Sequence, residues 1–369
     1  MRARRNRPSS RRRSRTRRST DATPTVAAPA TGASAAAKPA VAVLGAGSWG
    51  TALGIHLART GHRTHLWGRD ARQLADLSRT RRNQRYLPGA DFPPMLTVEP
   101  DLGLVLAEVD ELLIAVPSHA FRTLLESVKP LLRPGTRVAW ATKGFELDSG
   151  LLPNQVARAV LGPVVPTAVL SGPTFAREVG AGLPTAMTIA SRDERFALEW
   201  ATTLSAATFR AYSSTDVTGV EVGGATKNVL AIGAGCSDGL GYGANTRVAL
   251  ITRGLAEMMR LGVALGARKD TFMGLAGLGD LVLTCTDDQS RNRRLGLALA
   301  RGTSAAAAQA EIGQVVEGVL AARAVREAAH KALVEMPITE QIYRVLYENV
   351  SPQVAVQTLM QRAVRAEQD

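Results

Sequence analysis

Two kinds of hydrophobic pattern divide the chain near residue 222. Between residues 40 and 220, short apolar and β-branched runs alternate with helical spacing, which is typical of a doubly wound parallel sheet. The short runs predict strands at 41–44, 63–67, 111–116, 137–141, 167–170 and 185–190. Amphipathic spacing then predicts helices at 225–233, 246–265, 292–300, 312–333 and 337–347. The predicted fold class is therefore α/β plus all-α, with the sheet first and a helical C-terminal domain after it.

The first predicted strand, Val41–Leu44, is followed at once by GAGSWG at residues 45–50 and then by a helical pattern. In this order Gly45 permits a sharp turn, Gly47 keeps side-chain atoms away from a pyrophosphate, and Gly50 lets the helix approach the sheet. The start of such a helix also presents free N–H groups to an anion. The motif predicts a Rossmann-type dinucleotide site, and a plain turn with three glycines is the alternative.

The end of the second predicted strand bears on which nucleotide is bound. An NAD site usually places an acidic residue there, about 20 residues after the glycine motif, to bind the ribose 2′-hydroxyl. This chain has Gly68 and Arg69 at that point, and Asp70 lies one residue too far along. Arg69 could hold a 2′-phosphate, which favours NADP over NAD. The alternative is a solvated surface arginine.

The net charge of +13 is concentrated at the N-terminus. Residues 1–38 contain ten Arg and one Lys against Asp21 alone, a net charge of +10, so that the other 331 residues carry only +3. This segment has too few apolar residues to fold, and we expect a disordered Arg-rich tail. Two interpretations of this tail are open, namely weak contact with polyanions and no role at all. It lacks the apolar stretch of an export signal, so we expect a cytoplasmic protein.

The length of 369 residues and the hydrophobic content of 45% allow two folded cores. We assign residues 39–222 to a dinucleotide-binding Rossmann domain and residues 223–369 to a helical substrate and catalytic domain. No stretch approaches the ~20 apolar residues of a transmembrane segment. Cys236 and Cys285 stand far apart among small or apolar residues and are predicted to be buried free thiols. The histidines show no metal-ligand spacing, so we predict no metal site.

Hydride exchange between a nicotinamide and a secondary alcohol requires a group that moves the hydroxyl proton. With no metal site and no well-placed histidine, a lysine is the natural candidate. Lys227 stands in GGATKNVLAIGAG, where small neighbours would bury its stem and lower its pKa. Lys143 ends a predicted strand at the edge where such sheets bind ligands. For each, a surface lysine is the alternative.

Two further segments carry candidate chemistry. Asp280 lies in the apolar, glycine-rich GLAGLGDLVLTC, where a carboxylate is costly unless it meets a cation, so we predict that it orients a lysine. SRNRR at residues 290–294 offers a hydroxyl, an amide and three guanidinium groups at a predicted helix start. Such a cluster can bind a phosphate or a carboxylate, and a solvated basic face is the alternative.

Together these segments closely resemble the bacterial NAD(P)-dependent sn-glycerol-3-phosphate dehydrogenase family. The resemblance runs from about residue 40 to 365, in the order of the family's blocks. The blocks are GAGSWGTAL, LWGRD, AVPSHAFR, ATKGFE, LSGPTFAREV, GLPTAM, GGATKNVLAIGAGCSDGLGYGANTRVALITRGLAEM, TFMGLAGLGDLVLTCTDDQSRNRRLGLAL and IGQVVEG. Several of them are long, so they are far more specific than the glycine motif alone.

The resemblance implies an oxidoreductase that reduces dihydroxyacetone phosphate reversibly to sn-glycerol 3-phosphate with NADPH or NADH, for phospholipid synthesis. It implies that Lys227 is the general acid and base and that Lys143 contacts substrate and cofactor. The other implied substrate-binding residues are Gly172, Thr174, Asp280, Ser290, Arg291 and Asn292. The implied cofactor-binding residues, besides the glycine motif, are Ser48, Trp49, Arg69, Ala176, Arg291, Val315 and Glu317. A cytoplasmic homodimer with a small phosphorylated three-carbon substrate is also implied.

Two departures from related sequences, Cys236 and Tyr242, do not fall on these implied roles, and the Arg-rich tail has no counterpart. The main alternative is a β-hydroxyacid or 6-phosphogluconate-type dehydrogenase, which also joins a Rossmann domain to helices. The cationic SRNRR segment favours a phosphate over a substrate with only a carboxylate. A nucleic-acid-binding protein is disfavoured because the chain beyond the tail is nearly neutral and lacks a nucleic-acid module, so we expect no specific nucleic-acid partner.

Overall fold

The computed structural model describes residues 38–364, 366 and 367, so the predicted disorder of the Arg-rich tail concerns residues outside the described part, Lys38 excepted. Its strands are β1 (Val41–Leu44), β2 (Thr64–Trp67), β3 (Arg82–Asn83), β4 (Leu87–Asp91), β5 (Leu96–Val98), β6 (Glu111–Ile114), β7 (Arg137–Trp140), β8 (Thr167–Ser171), β9 (Thr185–Ala190) and β10 (Phe209–Ser214). Its first α-helices are α1 (Ser48–Arg59), α2 (Ala71–Thr80), α3 (Leu102–Glu108), α4 (Ser118–Val128), α5 (Pro153–Leu161), α6 (Ala176–Ala181) and α7 (Glu194–Leu204). The later ones are α8 (Val217–Gly239), α9 (Ala244–Ala264), α10 (Asp280–Thr286), α11 (Arg291–Ala300), α12 (Ala305–Ile312), α13 (Glu317–Lys331), α14 (Pro337–Tyr347) and α15 (Pro352–Met360).

Eight strands form one sheet in the order β10-β9-β8-β7-β6-β1-β2-β5. The six adjacent strands β8, β7, β6, β1, β2 and β5 all pair in parallel, which confirms the predicted Rossmann-type sheet. β9 pairs antiparallel to β8, and β10 is parallel to β9, so the last two strands run against the others. A hydrophobic run predicts a strand but not its direction, and the reversal could therefore not be predicted from the pattern.

Residues on the central strands alternate between two hydrophobic cores, because successive side chains point to opposite faces of a sheet. On β1, Val41 and Val43 pack with Phe196 and Trp200 of α7, whereas Ala42 and Leu44 pack on the other face. That second core includes side chains of α3, α4 and α5. Helices thus cover both faces, and the carboxyl ends of the parallel strands remain the open edge.

The helical C-terminal part is built around α8, which is buried along nearly all its length and is contacted by α9, α10, α11, α13 and α14. The predicted helix at 225–233 is therefore too short, since packing overrides the low helix propensity of its glycines. The predicted helix at 312–333 is interrupted, because Gly313 adopts a left-handed conformation (φ 68°) that ends α12. A new helix, α13, begins at Glu317.

The predicted boundary between residues 222 and 223 falls inside α8, and the division into two domains stays a prediction. Cys236 and Cys285 are buried free thiols, as predicted, and burial raises the pKa of each to about 12. Within the described residues, no helix is both long and apolar enough to cross a membrane.

Candidate functional site

The glycine motif forms a tight turn between β1 and α1. Gly45 has a φ of 129°, and a Cβ there would lie 2.5 Å from the backbone oxygen of Ala115. A Cβ on Gly50 would lie 1.9 Å from the backbone oxygen of Gly45, so both positions require glycine. Among the described residues, a Cβ on Gly47 would meet no atom within 4 Å, and no side chain caps the start of α1. The open space beside Gly47 and the uncapped helix start fit a dinucleotide pyrophosphate.

Two side-chain amides donate hydrogen bonds to the loop that the glycine motif forms. Gln73 donates to the carbonyl oxygen of Ala46 at 2.7 Å, and Asn83 donates to the same oxygen at 3.1 Å. The amide of Asn83 also lies 2.8 Å from the hydroxyl oxygen of Thr51 on α1. Asn83 belongs to the β3–β4 hairpin, which the sequence pattern does not predict, so no signal in the sequence points to its role.

Arg69 follows β2 at the open edge and is exposed. Within residues 38–364, its guanidinium group has no hydrogen-bond or ion-pair partner. The carboxylate of the next residue, Asp70, instead accepts from the backbone N–H groups of Arg72 and Gln73 at 2.9 and 3.2 Å and so caps α2. The carboxylate is therefore engaged in the fold, whereas the guanidinium is available to an anion.

Two lysines share one buried carboxylate. Lys143, just after β7, donates from Nζ to Oδ2 of Asp280 at 2.7 Å, and Lys227 on α8 donates to Oδ1 at 2.5 Å. Asp280 begins α10 and is only 1% exposed, while Lys227 is 8% exposed. The three residues singled out for proton chemistry thus meet at one point. Their elements lie far apart in the sequence, between residues 140 and 286.

The cluster is electrostatically unusual. The pKa of Lys227 is lowered to about 8, mainly by burial and in addition by the charge of Lys143, while the Asp280 carboxylate opposes this shift. Burial would raise the pKa of Asp280, but the two ammonium groups outweigh it, so this pKa is lowered. Asp280 is consequently ionised at neutral pH. A lysine with a pKa near 8 can both donate and accept a proton close to neutral pH.

Small residues on α8 make room for this cluster. A Cβ on Gly224 would lie 3.4 Å from the Lys143 side chain, so the helix packs directly on the stem of that lysine. Thr284, one turn after Asp280, accepts from Lys227 Nζ at 3.1 Å, and its hydroxyl donates to the carbonyl oxygen of Asp280 at 2.6 Å. Sequence reasoning does not identify Thr284, although its spacing of four residues from Asp280 on one helix face was an available signal.

The SRNRR segment is divided between several tasks. Arg291 lines the cavity described below and has no ion-pair partner in the described chain. Arg293 is buried and donates to Asp238 at 2.6 Å, and it also pairs with Asp288, so it does not serve an anion with its neighbours. Ser290 accepts from the backbone N–H of Arg293 at 3.2 Å and caps α11. Of the three guanidinium groups that this segment offers, that of Arg293 is therefore already held by two carboxylates.

An amide network connects α8, α11 and α13 at the same place. Asn228 donates to a carboxylate oxygen of Glu317 at 3.2 Å and accepts from the side-chain amide of Asn292 at 2.8 Å. The oxygen of Asn292 accepts from the backbone N–H of Gly318 at 2.8 Å. Asn228 follows Lys227 directly, so the network holds the helix next to the lysine.

A cavity of about 630 Å³ opens beside the lysines and the glycine motif. Of the residues identified from the sequence, it is lined by Ser48, Trp49, Lys143, Thr174, Ala176, Lys227, Ser290, Arg291, Asn292 and Glu317. The others are not among its lining residues, namely Gly45, Gly47, Gly50, Arg69, Gly172, Asp280 and Val315. Val315 lines a smaller neighbouring cavity that Lys143 and Glu317 also line.

The comparisons with known proteins agree with this arrangement. Residues 40–197 match the family model described as the NAD-dependent glycerol-3-phosphate dehydrogenase N-terminus, and residues 216–357 match that described as the C-terminus. The chain belongs to the NAD-dependent glycerol-3-phosphate dehydrogenase family. The match covers both the sheet and the helical part, which confirms the resemblance seen in the sequence. It favours this family over the β-hydroxyacid and 6-phosphogluconate-type alternative.

Individual members of the family are similar over most of the chain. The glycerol-3-phosphate dehydrogenase [NAD(P)+] of Pseudoalteromonas translucida is 55% identical over 332 residues, which is 90% of this chain and 99% of that protein. The enzyme of the same name from Shigella boydii is 55% identical over 89% of this chain and 97% of that protein. The crystal structure of glycerol-3-phosphate dehydrogenase from Coxiella burnetii superposes with a TM-score of 0.85 at 47% identity, covering 88% of this chain and 99% of that one.

Several residues that line the cavity were not predicted from the sequence. They are Tyr86, Leu87, Pro88, Phe175, Arg177, Asn228, Thr284, Asp287, Asp288, Gln289 and Gln314. The first three belong to the β3–β4 hairpin region, and Gln289 donates across the cleft to Glu178 of α6 at 2.9 Å. Both the sheet part and the helical part therefore contribute walls to one cavity.

Proposed function

We propose that the chain reduces dihydroxyacetone phosphate to sn-glycerol 3-phosphate with NADPH or NADH, and that it also catalyses the reverse oxidation. Membership of the family supports this proposal. The observation that carries it is the pair of lysines on one buried carboxylate, in the wall of a cavity that also reaches the dinucleotide loop. The proposal is supported by the position of these lysines beside the glycine loop and beside Arg291, which has no ion-pair partner in the described chain.

We assign the nicotinamide dinucleotide to the open edge of the sheet. Gly45, Gly47 and Gly50 shape the loop for the pyrophosphate, and the remaining proposed contacts are Ser48, Trp49, Arg69, Lys143, Ala176, Arg291, Val315 and Glu317. When bound, the reduced cofactor supplies the hydride. The protein must therefore supply the proton and hold the substrate.

We assign the substrate to the cavity between the lysines and α11. Arg291 is free to pair with the phosphate group, since no carboxylate in the described chain occupies it. The other residues proposed to bind the substrate are Lys143, Gly172, Thr174, Lys227, Ser290 and Asn292 by contact, and Asp280 indirectly. Asp280 acts on the substrate through the lysines, because its side chain is enclosed.

We assign the proton to Lys227. In the reducing direction its ammonium group donates to the carbonyl oxygen, and in the oxidising direction the neutral amine accepts from the hydroxyl. Asp280 holds the ammonium in place and opposes the effect of burial on its pKa. Lys143 provides a second positive charge that stabilises a developing oxyanion.

A paired assay tests the proposed function. We expect the purified protein to reduce dihydroxyacetone phosphate, and to reduce unphosphorylated dihydroxyacetone with a kcat/KM lower by about tenfold or more, because the charge-assisted contact to phosphate is lost. Each substrate is measured with NADPH and with NADH by nucleotide absorbance. Equal kcat/KM values for the two substrates, or activity confined to β-hydroxyacids, would contradict the proposal.

Arg69 provides a test of nucleotide preference. Arg69→Ala should raise the KM for NADPH by about ten- to a hundredfold, the effect of losing a charge-assisted contact worth about 1.5–3 kcal/mol, and should leave the KM for NADH nearly unchanged. Arg79→Ala is the matched control, since Arg79 is an exposed arginine at the far end of the adjacent helix, α2. Equal losses for both nucleotides would show that Arg69 serves the fold or the shared part of the cofactor.

We further propose a cytoplasmic homodimer that supplies glycerol phosphate for phospholipid synthesis. Within each chain, residues 39–222 would bind the dinucleotide and residues 223–369 would carry the substrate and catalytic groups. The resemblance to the bacterial family supports these assignments. A sedimentation measurement of the purified protein tests the dimer.

A further inference from the structure

Glu221 is a fully enclosed acid that the proposed reaction does not use. It lies on α8, six residues before Lys227, and is 4% exposed. Its Oε1 accepts from the indole N–H of Trp140 at 3.0 Å and from the backbone N–H of Asn154 at 2.9 Å. Its Oε2 accepts from the side-chain amide of Asn154. Three donors thus converge on one carboxyl group.

These donors belong to elements of the sheet part. Trp140 is the last residue of β7, three residues before Lys143, and Asn154 lies in the first turn of α5. Glu221 therefore ties the helix that carries Lys227 to the strand that leads to Lys143. Lys143 and Lys227 also both pair with Asp280. The contacts of Glu221 and the lysine cluster therefore both connect α8 with β7 and the residues that follow it.

The packing of α8 leaves little tolerance for movement. A Cβ on Gly224 would lie 3.1 Å from the hydroxyl oxygen of Ser171 and 3.4 Å from the stem of Lys143. A Cβ on Gly223 would lie 2.3 Å from the carbonyl oxygen of Ala276, in the segment that leads to Asp280. A shift of α8 would therefore change the separation of both lysines from Asp280.

We propose that Glu221 is a positioning residue, whose carboxyl group joins α8 to β7 and α5 and thereby sets the spacing of Lys143 and Lys227 on Asp280. The proposal rests on the proposed function, because it assumes that the two lysines act on the substrate. Glu221 acts as an acceptor of hydrogen bonds rather than as a charge. Burial raises its pKa to about 8, and no cationic group of the described chain donates a hydrogen bond to it. A glutamine should therefore replace it, provided that the Asn154 amide turns its oxygen toward the new N–H₂ group.

Glu257 offers a matched control. It is 1% exposed on α9 and accepts three hydrogen bonds, from the backbone N–H of Ile338 at 2.6 Å and from the backbone N–H and hydroxyl of Thr339, both at 3.1 Å. Burial raises the pKa of Glu257 to about 7. It resembles Glu221 in burial and in number of donors, but its hydrogen bonds join α9 to α14 and not α8 to β7.

The test compares Glu221→Met, Glu221→Gln and Glu257→Met. We expect Glu221→Met to lower kcat by about 10- to 100-fold, as for a small misplacement of a catalytic group, with little change in the KM for NADPH. The alkaline limb of the kcat profile should move to lower pH, because Lys227 loses contact with Asp280. Glu221→Gln should stay within about threefold of wild-type kcat, since its hydrogen bonds are restored. Glu257→Met should lower the Tm but keep wild-type kcat and pH profile.

A folded Glu221→Met variant with wild-type kcat and pH profile overturns the proposal. The proposal is also overturned if Glu221→Met and Glu257→Met lose the same amount of kcat when they lose the same amount of Tm. If Glu221→Met does not fold, Trp140→Phe removes a single donor, and we expect the same shift of the pH profile in it. A wild-type protein that fails to reduce dihydroxyacetone phosphate refutes the proposed function instead. The pH dependence of Lys227 acylation, followed by mass spectrometry, then still tests whether Glu221 sets the environment of the lysine.

Discussion

Replacing Lys227 with alanine is expected to lower kcat by ~10²- to 10⁴-fold, the range found when an acid–base catalyst is lost. The expectation rests on its pKa of about 8, on its place in the cavity wall and on its contact with Asp280. Binding of NADPH should change little, because the glycine motif and Arg69 lie on the sheet part of the chain. Steady-state kinetics and a nucleotide-binding titration measure the two effects separately.

Lys227→Arg distinguishes proton transfer from simple charge. A guanidinium stays protonated at any working pH, so it cannot take the proton back from the alcohol, and this variant should not recover the oxidation rate. Lys129→Ala is a suitable control, since Lys129 is an exposed lysine beyond α4 and away from the cavity. If Lys227→Arg keeps near wild-type turnover, the residue anchors the phosphate or carbonyl by charge alone, and Lys143 becomes the better candidate for the proton.

Local patterns predicted the parts of the site that depend on short segments. The order of strand, glycine motif and helix located the turn in which Gly45 and Gly50 are sterically required. The small and apolar neighbours of Lys227 indicated a buried lysine with a lowered pKa, and those of Asp280 indicated a carboxylate that needs a cationic partner. Their meeting could not be derived from spacing alone, because 53 residues separate them in the chain.

Features of the site that depend on tertiary contacts could not be predicted from the sequence. The cationic segment looked uniform, yet Arg293 is held by Asp238 and Asp288 while Arg291 lines the cavity. Nothing local separates the two, since they differ only in which face of α11 they occupy. Glu221 is a similar case, because its donors come from Trp140 and Asn154, more than 60 residues away.

Replacing Asp280 with asparagine should have the second large effect, on both rate and stability. Removing the charge of one partner from a buried ionic cluster typically costs about 3–5 kcal/mol, because the remaining charges stay enclosed without compensation. Two ammonium groups would then face each other across a neutral amide. We expect a clear loss of Tm and a fall in kcat of about 10²-fold or more at neutral pH, since Lys227 is no longer held or kept protonated.

The pH dependence identifies the cause of that fall. The Asp280 carboxylate raises the pKa of Lys227 against burial and against Lys143, so its removal must move that pKa below about 8. Reduction requires the protonated amine, so its rate falls as the pH rises through this pKa, and the alkaline limb of the variant should lie at lower pH than that of the wild type. Lowering the pH should therefore restore part of the activity.

Asp238→Asn is the control for this pH shift. Asp238 is a shielded carboxylate between Arg247 and Arg293, and its loss should reduce the Tm without moving the alkaline limb of the rate profile. An Asp280→Asn enzyme whose alkaline limb coincides with that of the wild type would show that Asp280 serves only the fold, and that the pKa of Lys227 is set by burial alone.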